Sequence, residues 1–341
     1  MVFNSGNKNV NDMIIASQNN KKNDKDFLKW IQSSRLRILN ELDRGAFGIV
    51  YKAIWYRRSY VNTVAVKFFY DDKDFLKEFT NVYRMIKRCS DEDSTMSEKN
   101  LVHYYGATYD HNRTEYGIVM EYYSQSSLSN YLTNKWKRIY WMEKLRILRD
   151  ISYGLYTLHN QDLIHGDLHS GNIMIDDNKD DLNIAWIGDL GFCRDEEIQK
   201  KNNGIRGVMA YMAPEIFRDF PYTKKADIYS FGCIMYNIST NRAPFYDEAH
   251  NRRLMRQISN GLKPTLYQDD KIPSCFENLM HQCWNFNPKM RPNAYTLYKK
   301  FCDWIDDDEL FEDVRWNTIK PVKRSDYHGE ANYMSQTWSF S

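Results

Sequence analysis

Asp167, Asn172 and Asp189 follow one another at spacings of five and seventeen residues. The first two lie in Ile164-His165-Gly166-Asp167-Leu168-His169-Ser170-Gly171-Asn172-Ile173-Met174-Ile175, a loop between two apolar runs, and the third opens an Asp189-Leu190-Gly191 turn. Acid and amide oxygens are the donors a hard cation takes, and a loop carboxylate can accept a proton from a hydroxyl. Upstream, Gly45-Ala46-Phe47-Gly48-Ile49-Val50 is a glycine loop between two β-like runs. Its N–H groups can close over a polyphosphate, because glycine lets the backbone approach an anion. Lys67, in the β-branched run Ala65-Val66-Lys67, adds a cation 19 residues after Gly48. Each feature alone has an ordinary explanation as a turn or a hairpin. Five of them in this order do not.

The elements that would carry these residues are readable from periodicity. Ile38 to Phe69 is β-like text broken by the glycine turn, Asp74 to Arg88 has helical spacing (Phe75, Phe79, Val82, Ile86), and Leu101–Thr108 and Tyr116–Tyr122 are again strands. Glu143–Asn160 places Leu145, Leu148, Ser152, Leu155 and Leu158 on one helical stripe. Asp227–Thr240, Glu248–Asn260, Pro273–Trp284 and Ala294–Ile305 are further helices by the same criterion. Strand text gives way to helical text near Tyr123. Residues 1 to about 26 are rich in Asn, Lys and Asp without an apolar period, and with a short helical lead-in at Phe27–Ile31 they make residues 1–37 a flexible extension. Residues 305–341 read as a tail that opens on an acidic run and has no clear period.

Composition narrows the classes. Hydrophobic residues at 42% and charged residues at 27% describe a globular chain, and a net charge of +2 is too mild to suggest nucleic-acid binding. No apolar run reaches the roughly 18 residues that span a bilayer. The first residues lack the apolar core of a secretory signal, and the six cysteines are scattered. A reduced cytoplasmic or nuclear setting is therefore expected, with the cysteines as small core side chains.

Together, these residues resemble the protein-kinase signature set, over about residues 38–304. Tyr211-Met212-Ala213-Pro214-Glu215 and Cys283-Trp284 are similar to the tyrosine-kinase-like group of Ser/Thr kinases. The resemblance implies an α+β, two-lobed protein-kinase fold, with a small β-rich N-lobe (38–123) holding one helix and a mainly helical C-lobe (124–304). It also implies ATP and Mg2+ as cofactors. Lys67 would pair the α- and β-phosphates, while Leu42, Gly45, Ala46, Phe47, Gly48, Val50, Ala65, Met120, Glu121, Tyr123 and Met174 would enclose the nucleotide. Met120 takes the gatekeeper position, and the backbone of Glu121 to Tyr123 would meet the adenine edge. Asn172 and Asp189 would hold the metal. Asp167 would orient the acceptor hydroxyl and take its proton, so that Asp167, Lys67 and Asn172 form the catalytic set. Glu215 would pair with Arg291, and Asp227 would brace the catalytic loop.

Several positions depart from the family pattern. Asp43 replaces the first glycine of the loop, and Leu190 replaces Phe. His169 stands where Ser/Thr kinases carry a lysine. The glutamate that normally holds the strand lysine falls at Asn81 or Val82, so either Glu78, one turn earlier, takes its place or Lys67 is held by phosphate and Asp189 alone. Gly166 replaces the arginine that grips an activation-segment phosphate. From Asp189 to Glu215 there are 27 residues with no Ser or Thr, and the one hydroxyl, Tyr211, is expected to be packed. The expected activity is ATP-dependent phosphorylation of Ser/Thr hydroxyls on protein substrates, independent of activation-loop phosphorylation and controlled through the run Asp195-Glu196-Glu197, the tails or a partner. The alternative is a pseudokinase scaffold that keeps the fold without turnover. Oligomeric state stays open.

Overall fold

A helix that composition hides opens the chain. In the computed structural model, which describes residues 3–135, 139–176, 183–196, 205–267, 270–307 and 322–338, Lys8–Asn19 forms α1. Asn7 caps it by accepting from the N–H groups of Asn9 and Val10, and Val10, Ile14 and Ser17 are buried at i, i+4, i+7. The flexible extension expected over residues 1–37 is thus corrected. Three buried positions suffice to dock a helix whose other faces are Asn and Lys. The helical lead-in at Phe27–Ile31 is corrected as well. Lys29–Trp30 is a strand, β1, because an apolar run of five residues lacks the length to fix its own period.

By Cα clustering the chain divides into two compact units, Met1–Ser124 with Gly188–Cys193, and Gln125–Ile187 with Arg194–Ser341. The first contains β2 (Leu36–Arg44), β3 (Gly48–Tyr56), β4 (Val61–Phe69), α2 (Asp72–Cys89), β5 (Tyr104–Asp110) and β6 (Glu115–Glu121). Its sheet runs β1-β5-β6-β4-β3-β2, antiparallel except for β1 beside β5. Ile31, Ala53, Trp55, Val64, Val66, Phe68 and Val119 pack together as a core. Phe75 of α2 stacks on Tyr116 at 4.7 Å and on Phe79 at 5.5 Å, which ties the helix to the sheet.

The second unit holds α3 (Leu128–Lys135), α4 (Trp141–Asn160), the short strands β7 (Leu163–Ile164), β8 (Ile173–Ile175), β9 (Ala185–Ile187), β10 (Arg194–Asp195) and β11 (Ile205–Gly207), then α5 (Lys224–Thr240), α6 (Arg252–Ser259), α7 (Ser274–Cys283), α8 (Ala294–Asp306) and β12 (Gln336–Trp338). Every residue of α5 from Ala226 to Thr240 is buried, as befits a central helix. The tail without a period is corrected over its described part. β12 pairs antiparallel with β11, Tyr333 donates to Pro244 O at 2.8 Å, and His250 meets Asn332 O at 2.8 Å. Glu197 of the acidic run and residues 308–321 of the tail lie outside the described residues. Cys89, Cys193, Cys233 and Cys283 are buried and Cys275 and Cys302 half-buried, all as free thiols.

Candidate active site

In the first unit, β4 and α2 bring a cation and two carboxylates together. Lys67 lies opposite Val50 of β3 and Ile118 of β6, so its side chain rises from the middle of the sheet. Its Nζ donates to Glu78 Oε2 at 2.8 Å and to Asp189 Oδ2 at 2.9 Å. Of the two arrangements left open by the sequence, the structure has the one with Glu78. The carboxylate is buried on α2, on the face of Phe75, Phe79 and Val82. Burial opposes charge on Lys67, but Asp189 and then Glu78 outweigh it and raise the amine above its ordinary value. Burial pushes Glu78 up to about 7 against the pull of Lys67.

Asn81 has a different task from the one its alignment suggested. Its Nδ2 donates to Leu190 O at 2.7 Å and so fastens the Asp189-Leu190-Gly191 turn to α2. Asp189 itself has φ 51°, and its Oδ1 accepts from Gly191 N–H at 3.0 Å. The turn is shaped so that one carboxylate oxygen faces Lys67.

The glycine loop mixes structural and functional positions. A Cβ on Gly48 would come within 2.1 Å of Phe68 O, so strand pairing alone demands glycine there. Gly45 meets only Gly48 O, at 3.9 Å, so packing leaves that position free. Ala46 is exposed, Leu42 and Val50 are half-buried, and Phe47 packs edge-on against Phe192 at 5.5 Å. The Asp43 carboxylate accepts from Arg44 N–H at 2.9 Å on the exposed surface. Ala65 pairs with Met120 across β4 and β6. The N–H of Glu121 donates to His103 O at 2.9 Å, so that donor is taken before any adenine arrives, which corrects one part of the expected hinge. Tyr123 is buried, with its hydroxyl 3.1 Å from Glu121 Oε2.

The second unit carries Asp167, Asn172 and Met174. Asp227, at the start of α5, accepts from His165 N–H at 2.8 Å and Gly166 N–H at 2.9 Å, with His159 Nε2 at 2.9 Å. Burial alone would raise this carboxyl. The hydrogen bond and charge of His159, then His165 and the Gly166 N–H, more than reverse that and leave it lowered. Gly166 has φ 77°, a left-handed conformation in which an arginine would be strained. Asn172 Nδ2 donates to Asp167 O at 2.9 Å, which turns its amide oxygen outward as an acceptor. Asp167 Oδ1 accepts from Val208 N–H at 3.2 Å, a contact no local pattern announces. His169 Nδ1 accepts from Gly171 N–H at 3.1 Å, and its Nε2 lies 3.9 Å from Asp167 Oδ2. Met174 pairs with Trp186 across β8 and β9.

Two buttresses complete this unit. Arg291 grips Glu215 through both nitrogens, at 2.6 and 2.8 Å, and both residues are largely buried. Tyr211 is buried, with its hydroxyl 3.0 Å from Ser170 Oγ.

A buried lysine–glutamate pair beside an Asp-Leu-Gly turn, with a braced Asp/Asn loop, is the residue set of a phosphotransferase. The chain belongs to the protein tyrosine and serine/threonine kinase family, whose profile matches residues 36–301. It is 34% identical over 259 residues to the probable serine/threonine-protein kinase gdt4 of Dictyostelium discoideum, covering 75% of this chain and 15% of that protein. It is 31% identical over 270 residues to the probable serine/threonine-protein kinase gdt2 of the same organism (79% and 16%), and 30% identical over 261 residues to the serine/threonine-protein kinase cst-1 of Caenorhabditis elegans (76% and 49%). The chain thus spans about a sixth of the first two relatives' length.

Proposed function

We propose that this protein transfers the γ-phosphoryl group of ATP to Ser/Thr hydroxyls of protein substrates, with Mg2+, as a member of the tyrosine-kinase-like group. The observation that carries the reading is the Lys67–Glu78 pair at 2.8 Å, because it supplies the one partner whose absence favoured a scaffold without turnover. The Ser/Thr preference follows the names of the relatives.

The residues fit the cofactors. Among the described residues no cluster of three or more His, Cys, Asp or Glu is placed to hold a metal by itself. That suits Mg2+, which takes one or two protein oxygens and completes its shell with phosphates and water. Asp189 offers a carboxylate with 36% of its side chain exposed, and Asn172 an outward amide oxygen. Bound Mg2+·ATP supplies the phosphoryl donor and neutralises charge on its oxygens. Lys67 contributes a fixed ammonium, and Gly45 leaves room for backbone N–H groups to approach. Asp167 accepts the hydroxyl proton.

Control does not depend on activation-segment phosphorylation in this reading. Gly166 cannot grip a phosphate, and Tyr211, the segment's one hydroxyl residue, has its oxygen buried against Ser170. A cytoplasmic or nuclear setting belongs to the same proposal. Measuring γ-phosphate transfer by the wild type beside Asp167→Asn and Lys67→Met tests the activity. Equal signals from all three would leave the scaffold reading in place.

A further inference from the structure

The tail strand lies against the loop that carries the proposed base. β12 pairs with β11 in the register Ile205↔Trp338, Arg206↔Thr337, Gly207↔Gln336. The next pair in that register is Val208 and Ser335, and Val208 is the residue whose N–H donates to Asp167 Oδ1. Trp338 Nε1 donates to Gly207 O at 3.0 Å and locks the register. Ser335 Oγ is 3.3 Å from His169 Nε2. Because His169 Nδ1 accepts from Gly171 N–H, a neutral ring carries its proton on Nε2, which therefore donates to Ser335 Oγ.

We propose that Ser335 is an intramolecular phosphate acceptor, presented to Asp167 and His169 by the β11–β12 pairing. This rests on the phosphotransferase reading above. Ser335 Oγ bonds the γ-phosphorus of a nucleoside triphosphate, the phosphorus–oxygen bond to the departing nucleoside diphosphate breaks, and the hydroxyl proton passes to the Asp167 carboxylate. The pairing also defines the peptide class the surface takes: an extended segment with a hydroxyl residue three positions before a tryptophan.

The test uses the full chain with Mg2+·ATP and a degenerate Ser/Thr peptide library as external acceptor. Mass spectrometry should find phosphate on Ser335, forming at a rate constant that does not change with protein concentration. Ser335→Ala should lose that phosphate and still phosphorylate the library. Trp338→Ala, which removes the lock, should slow Ser335 modification about tenfold, the equivalent of one lost hydrogen-bonded contact. Without nucleotide, hydrogen exchange should show protected amides at 205–207 and 336–338, released in Trp338→Ala. Library phosphorylation with an unmodified Ser335, protected or not, overturns the proposal and leaves the kinase reading intact. A rate that rises in proportion to protein concentration overturns the intramolecular step. No transfer to Ser335 or to the library removes both readings.

Discussion

Glu78 Oε2 and Lys67 Nζ are 2.8 Å apart, eleven residues apart in the chain, and nearly sealed from solvent, with side-chain exposures of 4% and 10%. Truncating one partner of such a pair leaves the other charge buried. Glu78→Ala should cost about 3–5 kcal/mol of stability at most, less by whatever Asp189 recovers. Phosphoryl transfer should fall about tenfold or more, since the ammonium is no longer fixed. Chemical denaturation and a γ-phosphate transfer assay check the two effects separately. A variant with wild-type activity would show that the pair only shapes the fold.

Arg291 and Glu215 anchor the end of the activation segment. Glu215→Ala strands a guanidinium whose side chain is 0% exposed, and should destabilise the protein by about 3–5 kcal/mol. Replacing both residues with apolar side chains should cost less than either single change. Urea unfolding of the single and double variants reads the difference.

Asp227 sets an acid limit. Its carboxyl is held below the ordinary range in the folded state, so folding favours the ionised form. That contribution is complete above the unfolded value and is lost as pH falls from about 4 toward the lower native value. Wild-type thermal stability should therefore drop more steeply than that of Asp227→Asn over this window. Parallel slopes would assign the acid sensitivity to other carboxylates.

Restoring the family arginine should not restore a switch. Gly166→Arg forces a side chain into a left-handed backbone, at about 1–2 kcal/mol. The melting temperature should fall, and activity should stay insensitive to phosphatase treatment of the activation segment. Phosphatase-sensitive activity in this variant would contradict that expectation.

Much of this site was legible because its residues are fixed by spacing within single loops. Asp167 and Asn172 share one loop, and the Asp189 turn announces itself through Gly191. The sheet and the longer helices were legible because their burial is periodic. What escaped depends on partners far along the chain. The tail strand has three residues and no period, and only β11 makes it a strand. Asn81 looked like a misplaced glutamate because its partner, Leu190 O, is 109 residues away. α1 left a fainter trace, the Asn7 cap followed by Val10, Ile14 and Ser17, which the surrounding Asn and Lys outweighed.

That first helix has a mechanical consequence. α1 packs on α2, the element that carries Glu78, and Tyr116 OH binds Ser5 O at 2.9 Å just ahead of it. Any rotation of α2 that withdraws Glu78 must drag α1 along or peel it off. Whatever grips the amino-terminal side of the molecule therefore holds a handle on the Lys67 ammonium, without touching a nucleotide.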